Sequence, residues 1–149
     1  MKKIAIVVAI VFVIGAITIF LSGGRQEETQ PVLQPPVELE AEVAVLVGGN
    51  EALGPFLVGN DGMTLYTFKK DEPRKSNCYG DCAVNWPPLS VPGDPVSGEG
   101  VGELGVIERD DGVRQVTYNG IPLYFWVNDR EPGDANGHGV KGFWSVVRP

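Results

Sequence analysis

Cys78 and Cys82 stand four residues apart as C-x-x-x-C, and His138 is the only histidine in the chain. Two thiols at that spacing can close a bridge in an oxidising compartment. Closing so short a loop stabilises by roughly 2 kcal/mol in chain-entropy terms. A reducible pair with a redox role is the alternative, but Asp81 and the acidic surroundings raise a thiol pKa rather than lower it. Covalent haem attachment needs Cys-His, and here Ala83 follows Cys82. His138 lies in the Gly-rich loop Pro132–Gly139, where an imidazole is either a solvated turn side chain or, on a second reading, an axial ligand to haem or copper. The segment Asp134-Ala-Asn-Gly-His138 imitates a calcium loop, but the match breaks at His138 and again at Ser145, where a bidentate acid is needed. With one histidine and no nucleophile elbow there is no triad to assign, so no enzymatic activity and no cofactor are expected.

The remaining chemistry-bearing residues come in pairs. Asp61–Asp71 reads DGMTLYTFKKD and Asn119–Asp129 reads NGIPLYFWVND, which align as [DN]-G-x-[TP]-L-Y-x-[FW]-x-x-D with an offset of 58 residues. The same offset carries Trp86 onto Trp144, and His138 onto Gly80 between the two cysteines. Asp71 and Asp129 end the motif, where an acid accepts hydrogen bonds from the backbone of the next turn. Tyr66, Phe68, Trp86, Tyr124, Trp126 and Trp144 offer a sugar-stacking platform, an electron relay or simply the core. The core is favoured, because each such ring buries roughly 150–250 Å² in a domain of this size. Repetition at a fixed offset marks one supersecondary unit used twice, 61–86 and 119–144, neither copy able to bury its aromatic face alone. The constant interval between Asp and Trp suggests that each hairpin packs on its own following segment.

These residues need strands to hold them. Val43–Val47 is an apolar run that Gly48-Gly49-Asn50 is expected to turn, and Phe56–Val58 leads through Asn60-Asp61-Gly62 to a return strand over Met63–Lys69. Alternation on that strand sends Tyr66 and Phe68 to one face and Leu65 and Thr67 to the other. Val106–Arg109, Val113–Tyr118 and Ile121–Val127, with Asn119-Gly120 between the last two, form a meander, and Phe143–Val147 closes the chain. One helix is expected over Cys78–Asn85, capped by Ser76 or Asn77 and stopped by Pro87-Pro88. Pro92–Gly102 reads as a mobile loop between the copies. With 20 glycines and 12 prolines, the fold class is all-β, a small sandwich or barrel-like domain.

Met1-Lys2-Lys3 followed by the uncharged run Ile4–Leu21 is long enough to enter a bilayer. Positive charge before it places the N-terminus in the cytoplasm and the remainder outside. Residues 1–24 thus read as an uncleaved signal anchor, 25–40 as a Pro/Gln/Glu-rich tether, and 41–149 as a single extracytoplasmic domain. The whole chain carries −7; without Lys2 and Lys3 there are 10 basic residues against 19 acidic ones, about −9. That balance speaks against nucleic acid and anionic lipid surfaces as partners.

The segments TLYTFKKD, SNCYGDCAVNWPPL, TYNGIPLYFWVND and GVKGFWSVV together resemble the bacterial and archaeal lipoprotein family named for its Y-x-[FWY]-x-x-D motif, also called the secreted repeat of unknown function. The resemblance covers about residues 42–149 and implies an exported, surface-tethered β domain with no established activity. Gly24 stands where the family's lipid-bearing cysteine would be, so thioether acylation is not available. The expectation is a single-pass, membrane-anchored module that scaffolds or binds a protein partner at the cell surface. A redox, metal or haem carrier using His138, Cys78 and Cys82 is the alternative.

Overall fold

The computed structural model describes residues 43–149. The anchor and tether read from residues 1–40 lie outside the described residues; among those described, no helix is long and apolar enough to cross a membrane.

The first copy begins with strands β1 (Ala44–Asn50) and β2 (Gly54–Val58), an antiparallel hairpin in register from Leu46↔Val58 to Asn50↔Gly54. Gly48 and Gly49 do not turn the chain as their composition suggests. They lie within β1 because a Cβ on Gly48 would sit 2.7 Å from the Val58 side chain and one on Gly49 2.6 Å from the Gly54 carbonyl. The turn falls instead at Glu51–Leu53, where the Asn50 side chain accepts the Leu53 N–H at 2.8 Å. The return strand is short, β3 (Tyr66–Phe68).

Pro92–Gly102 is not a free loop. Within it β4 (Val96–Ser97) pairs in parallel with β1, and the N–H groups of Val96 and Gly98 donate to the carbonyls of Val43 and Val45. The second copy then repeats the hairpin with β5 (Leu104–Glu108), β6 (Arg114–Tyr118) and β7 (Ile121–Pro122). Asn119 and Gly120, at φ 48° and 81°, make the two-residue turn for which Asn-Gly is suited. The final strand is β8 (Trp144–Val146).

These eight strands form three small sheets, β2-β1-β4, β3-β8 and β5-β6-β7, stitched together by single bridges such as Tyr66↔Tyr124 and Ser90↔Gln115. The expected packing of each hairpin on its own following segment holds for the tyrosine rings, Tyr66 against Trp86 and Tyr124 against Trp144, but not for the strands. β3 of the first copy pairs with β8 of the second, Phe68 opposite Trp144. Reciprocally, the second copy's motif strand bonds to the first copy's segment after Trp86, through Phe125 N–H to the Pro87 carbonyl and Leu89 N–H to the Leu123 carbonyl. Equal spacing in the two copies is satisfied by either arrangement; the exchanged one lets each apolar face close on the other half.

The helix α1 is limited to Asp81–Asn85, with Gly80 at its N-cap and no side-chain cap. Ser76 and Asn77 are not caps because their side chains are already bonded, Ser76 Oγ to Tyr124 Oη and Asn77 Nδ2 to the Lys70 carbonyl. The Cys78–Cys82 disulfide, with Cα atoms 5.2 Å apart, pins the segment leading into the helix, and Cys78 is fully buried.

Strand alternation sorts the Leu-Tyr dipeptides into two clusters. Leu65 and Leu123 join Val45, Leu57, Leu89, Val116 and Val147 in an aliphatic cluster. Tyr66 and Tyr124 join Phe56, Cys78, Trp86, Trp144 and Val146 in an aromatic one. Trp86 and Trp144 are each 4 % exposed. Trp86→Ala and Trp144→Ala are each expected to destabilise by about 3–5 kcal/mol, the cost of deleting a large buried aromatic. Denaturant melts of both variants beside the wild type check this; a melt like the wild type at either position would remove that indole from the core.

Candidate functional site

At the centre of the described domain the two motif tyrosines meet. Tyr66 N–H donates to the Tyr124 carbonyl at 2.8 Å and Tyr124 N–H to the Tyr66 carbonyl at 3.0 Å. Both side chains are fully buried, and each hydroxyl donates to the aspartate of the other copy: Tyr66 to Asp129 at 2.6 Å and Tyr124 to Asp71 at 2.7 Å. The other oxygen of each carboxylate accepts a backbone N–H from the loop that follows its motif, Asn77 to Asp71 at 2.7 Å and Asn136 to Asp129 at 3.0 Å. The motif's tyrosine and aspartate therefore form two crossed links between the copies.

The electrostatics follow from this burial. Desolvation, reinforced by the neighbouring aspartate, pushes both tyrosine hydroxyls far up, so they stay neutral donors. Burial also raises Asp71 and Asp129, while the hydrogen bonds they accept work against it.

The aromatic residues stack across the same pseudo-twofold relation. Phe68, Trp144, Trp86 and Trp126 form one column, with successive ring centroids 4.4, 3.7 and 4.0 Å apart, and the two central indoles are parallel to within 3°. Tyr66 meets Trp86 edge-on at 5.4 Å, and Tyr124 meets Trp144 likewise at 5.3 Å. Both faces of each central indole are thus covered by rings, leaving neither face as a platform. Phe68 and Trp126, at the ends of the column, are half-buried. Gly137 belongs to this packing: a Cβ there would lie 2.7 Å from the Tyr66 ring and 2.8 Å from Trp86.

One side of the centre carries a polar network that motif reading misses. Arg109, 3 % exposed, donates to Ser76 Oγ at 2.6 Å, Gln115 Oε1 at 2.9 Å, the Cys78 carbonyl at 2.8 Å and Asp111 at 2.9 Å. Ser76 in turn bonds Tyr124 Oη at 2.7 Å, so the network joins the crossed link through Tyr124. Burial pulls the guanidinium pKa down, but the Asp111 hydrogen bond and charge prevail and raise it; the same hydrogen bond lowers Asp111. The sequence signal for this residue is slight, an arginine at a strand end two positions before a turn aspartate.

His138 and the cysteines do not converge into a donor set. The cysteines are closed on each other, and exposed His138 accepts the Val146 N–H on Nδ1 at 3.3 Å. Among the described residues no group of three or more His, Cys, Asp or Glu is placed to hold a metal ion. Asp134, the first residue of the calcium-like segment, accepts the N–H groups of Arg130 and Glu131 and shapes the turn.

A duplicated β domain, closed by exchange between its halves, is thus the class of protein defined by fold and site. A family described as a secreted repeat of unknown function matches the chain twice, over residues 49–90 and 105–148. The chain belongs to that family. No curated relative and no solved structure matches it.

Asp129, 7 % exposed, faces two donors, a demand that an amide cannot meet. Asp129→Asn is expected to cost about 1–3 kcal/mol, the penalty for a buried donor left unpaired, and Asp71→Asn less, since half-exposed Asp71 is open to water. Chemical denaturation of the two variants ranks them. The raised aspartates also fix a sign with pH. Above the ordinary carboxylate value of 3.8 the native state holds these protons more readily than the unfolded chain. Stability contributed by this pair therefore rises as pH falls toward the raised values. Unfolding midpoints followed from pH 7 down to the ordinary carboxylate value of 3.8 should show that rise, and Asp129→Asn should diminish it.

Proposed function

We propose that the chain is a non-enzymatic module held at a membrane by its N-terminal segment, its β domain on the extracytoplasmic side acting by binding. The observation that carries this reading is the use made of the motif's reactive groups. Both tyrosine hydroxyls, both aspartates and both thiols are engaged in holding the two copies and the helix in place. Their engagement provides a rigid frame rather than an acid, a base or a nucleophile at a substrate.

Membership in a secreted-repeat family supports export, and the basic start followed by the uncharged run Ile4–Leu21 supports anchoring by the positive-inside rule. The acidic balance of the domain favours a partner other than nucleic acid. The closed disulfide suits the same compartment.

Fractionation of native cells and intact mass of the membrane form test the anchoring. The membrane fraction is expected to contain the chain with residues 1–24 attached; a soluble form beginning at Arg25 would overturn it. Cross-linking of the detergent-extracted chain is expected to retain a specific binding partner, while turnover of a substrate by the purified protein would overturn the non-enzymatic reading.

A further inference from the structure

Beside the aromatic column lies a cleft of about 440 Å³, room for one or two sugar-sized rings. Its floor includes Trp86 and Trp144, whose faces are covered by the stack, so they present their edges to it. A ring edge is the positive side of the aromatic quadrupole.

Lys70 and Lys141 also line the cleft, against one acid, Asp81. In a domain carrying about −9, this is a local excess of cationic donors. The Lys70 ammonium rests 4.4 Å from the centre of the Phe143 ring, another wall residue. Lys141 is held at φ 50°, ψ 14° in the turn Val140–Gly142, between Gly139 at φ 80° and Gly142 at φ 73°. A side chain there is strained where glycine would be relaxed, and such strain gathers at binding sites. Asp81 and Asn85 add acceptors on the same wall. Asn85 Nδ2 already donates to the Asp81 carbonyl at 2.7 Å, leaving the amide oxygen available.

We propose that this cleft binds a uronic acid unit, a sugar ring bearing a carboxylate. The lysines take the carboxylate, Asp81 and Asn85 accept ring hydroxyls, and Phe143 and half-buried Trp126 cover the C–H surface. The proposal deepens the binding reading above and rests on it in requiring that the ligand leave unchanged.

The test uses the full chain in detergent, titrated with digalacturonate, neutral galactobiose and benzoate. Binding is followed by calorimetry and by tryptophan fluorescence, to which the column responds directly. Digalacturonate is expected to bind saturably, with galactobiose and benzoate each weaker by about tenfold or more. Lys141→Gly is expected to lose about tenfold in affinity while melting at or above the wild-type temperature, because the left-handed strain is gone. Lys70→Gln is expected to weaken binding similarly. No saturable binding, equal binding of galactobiose or benzoate, or unchanged affinity in Lys141→Gly would each overturn the site. Recovery of cleaved ligand would leave the site standing and overturn the non-enzymatic reading instead.

Discussion

Where the main chains of Tyr66 and Tyr124 pass each other, two backbone hydrogen bonds and two hydroxyl-to-carboxylate bonds cross between the copies. The strands of the three sheets are short, several only two or three residues long, and isolated pairs of that length are marginal in water. What orders them is this centre. Fixing Tyr66 against Tyr124 brings β3 to β8 and the Phe125 strand to the segment after Trp86, and only then can the indoles stack. Remove the cross-links and each half is left with an apolar stripe and unpaired strand edges.

Burying two tyrosine–aspartate pairs carries a desolvation cost that an apolar core would not. The structure offsets it by leaving no buried side-chain oxygen or nitrogen unpartnered among the described residues. The two sides achieve this differently. Tyr66 Oη accepts the Gly137 N–H at 3.2 Å, a contact that needs a residue without a side chain. Tyr124 Oη instead meets Ser76, which Arg109 holds. Near-identity of the motif thus coexists with unlike surroundings, and buried hydrogen bonds set the register more sharply than apolar contacts alone could.

Equivalence was legible in the sequence; partnership was not. The 58-residue offset correctly pairs Tyr66 with Tyr124 and Trp86 with Trp144 as like positions, and period-two alternation sends Leu65 and Tyr66 into different clusters. Yet an offset says which residues play the same part, not which copy each one touches, so the exchange of segments could not be read from it. Ser76 and Asn77 resembled caps because their local chemistry suits a helix start, but Ser76 is held by distant Tyr124 and Arg109 and the Asn77 side chain by the nearby Lys70 carbonyl. β4 hides in a Pro- and Gly-rich stretch because its pairing depends on Ala44 and Val45, some fifty residues away. Arg109 was invisible for the same reason: its acceptors, Ser76, the Cys78 carbonyl and Gln115, come from separate parts of the chain.

Strand exchange between the halves bears on how such a chain can arise. A polypeptide with a single copy would carry a motif strand whose complement exists only in a second molecule, so it would assemble as a twofold-symmetric, domain-swapped pair. The present chain holds the equivalents of both partners in one polypeptide. The passage through β4, which belongs to neither copy, is the splice, and by making the encounter of the halves intramolecular it frees assembly from protein concentration.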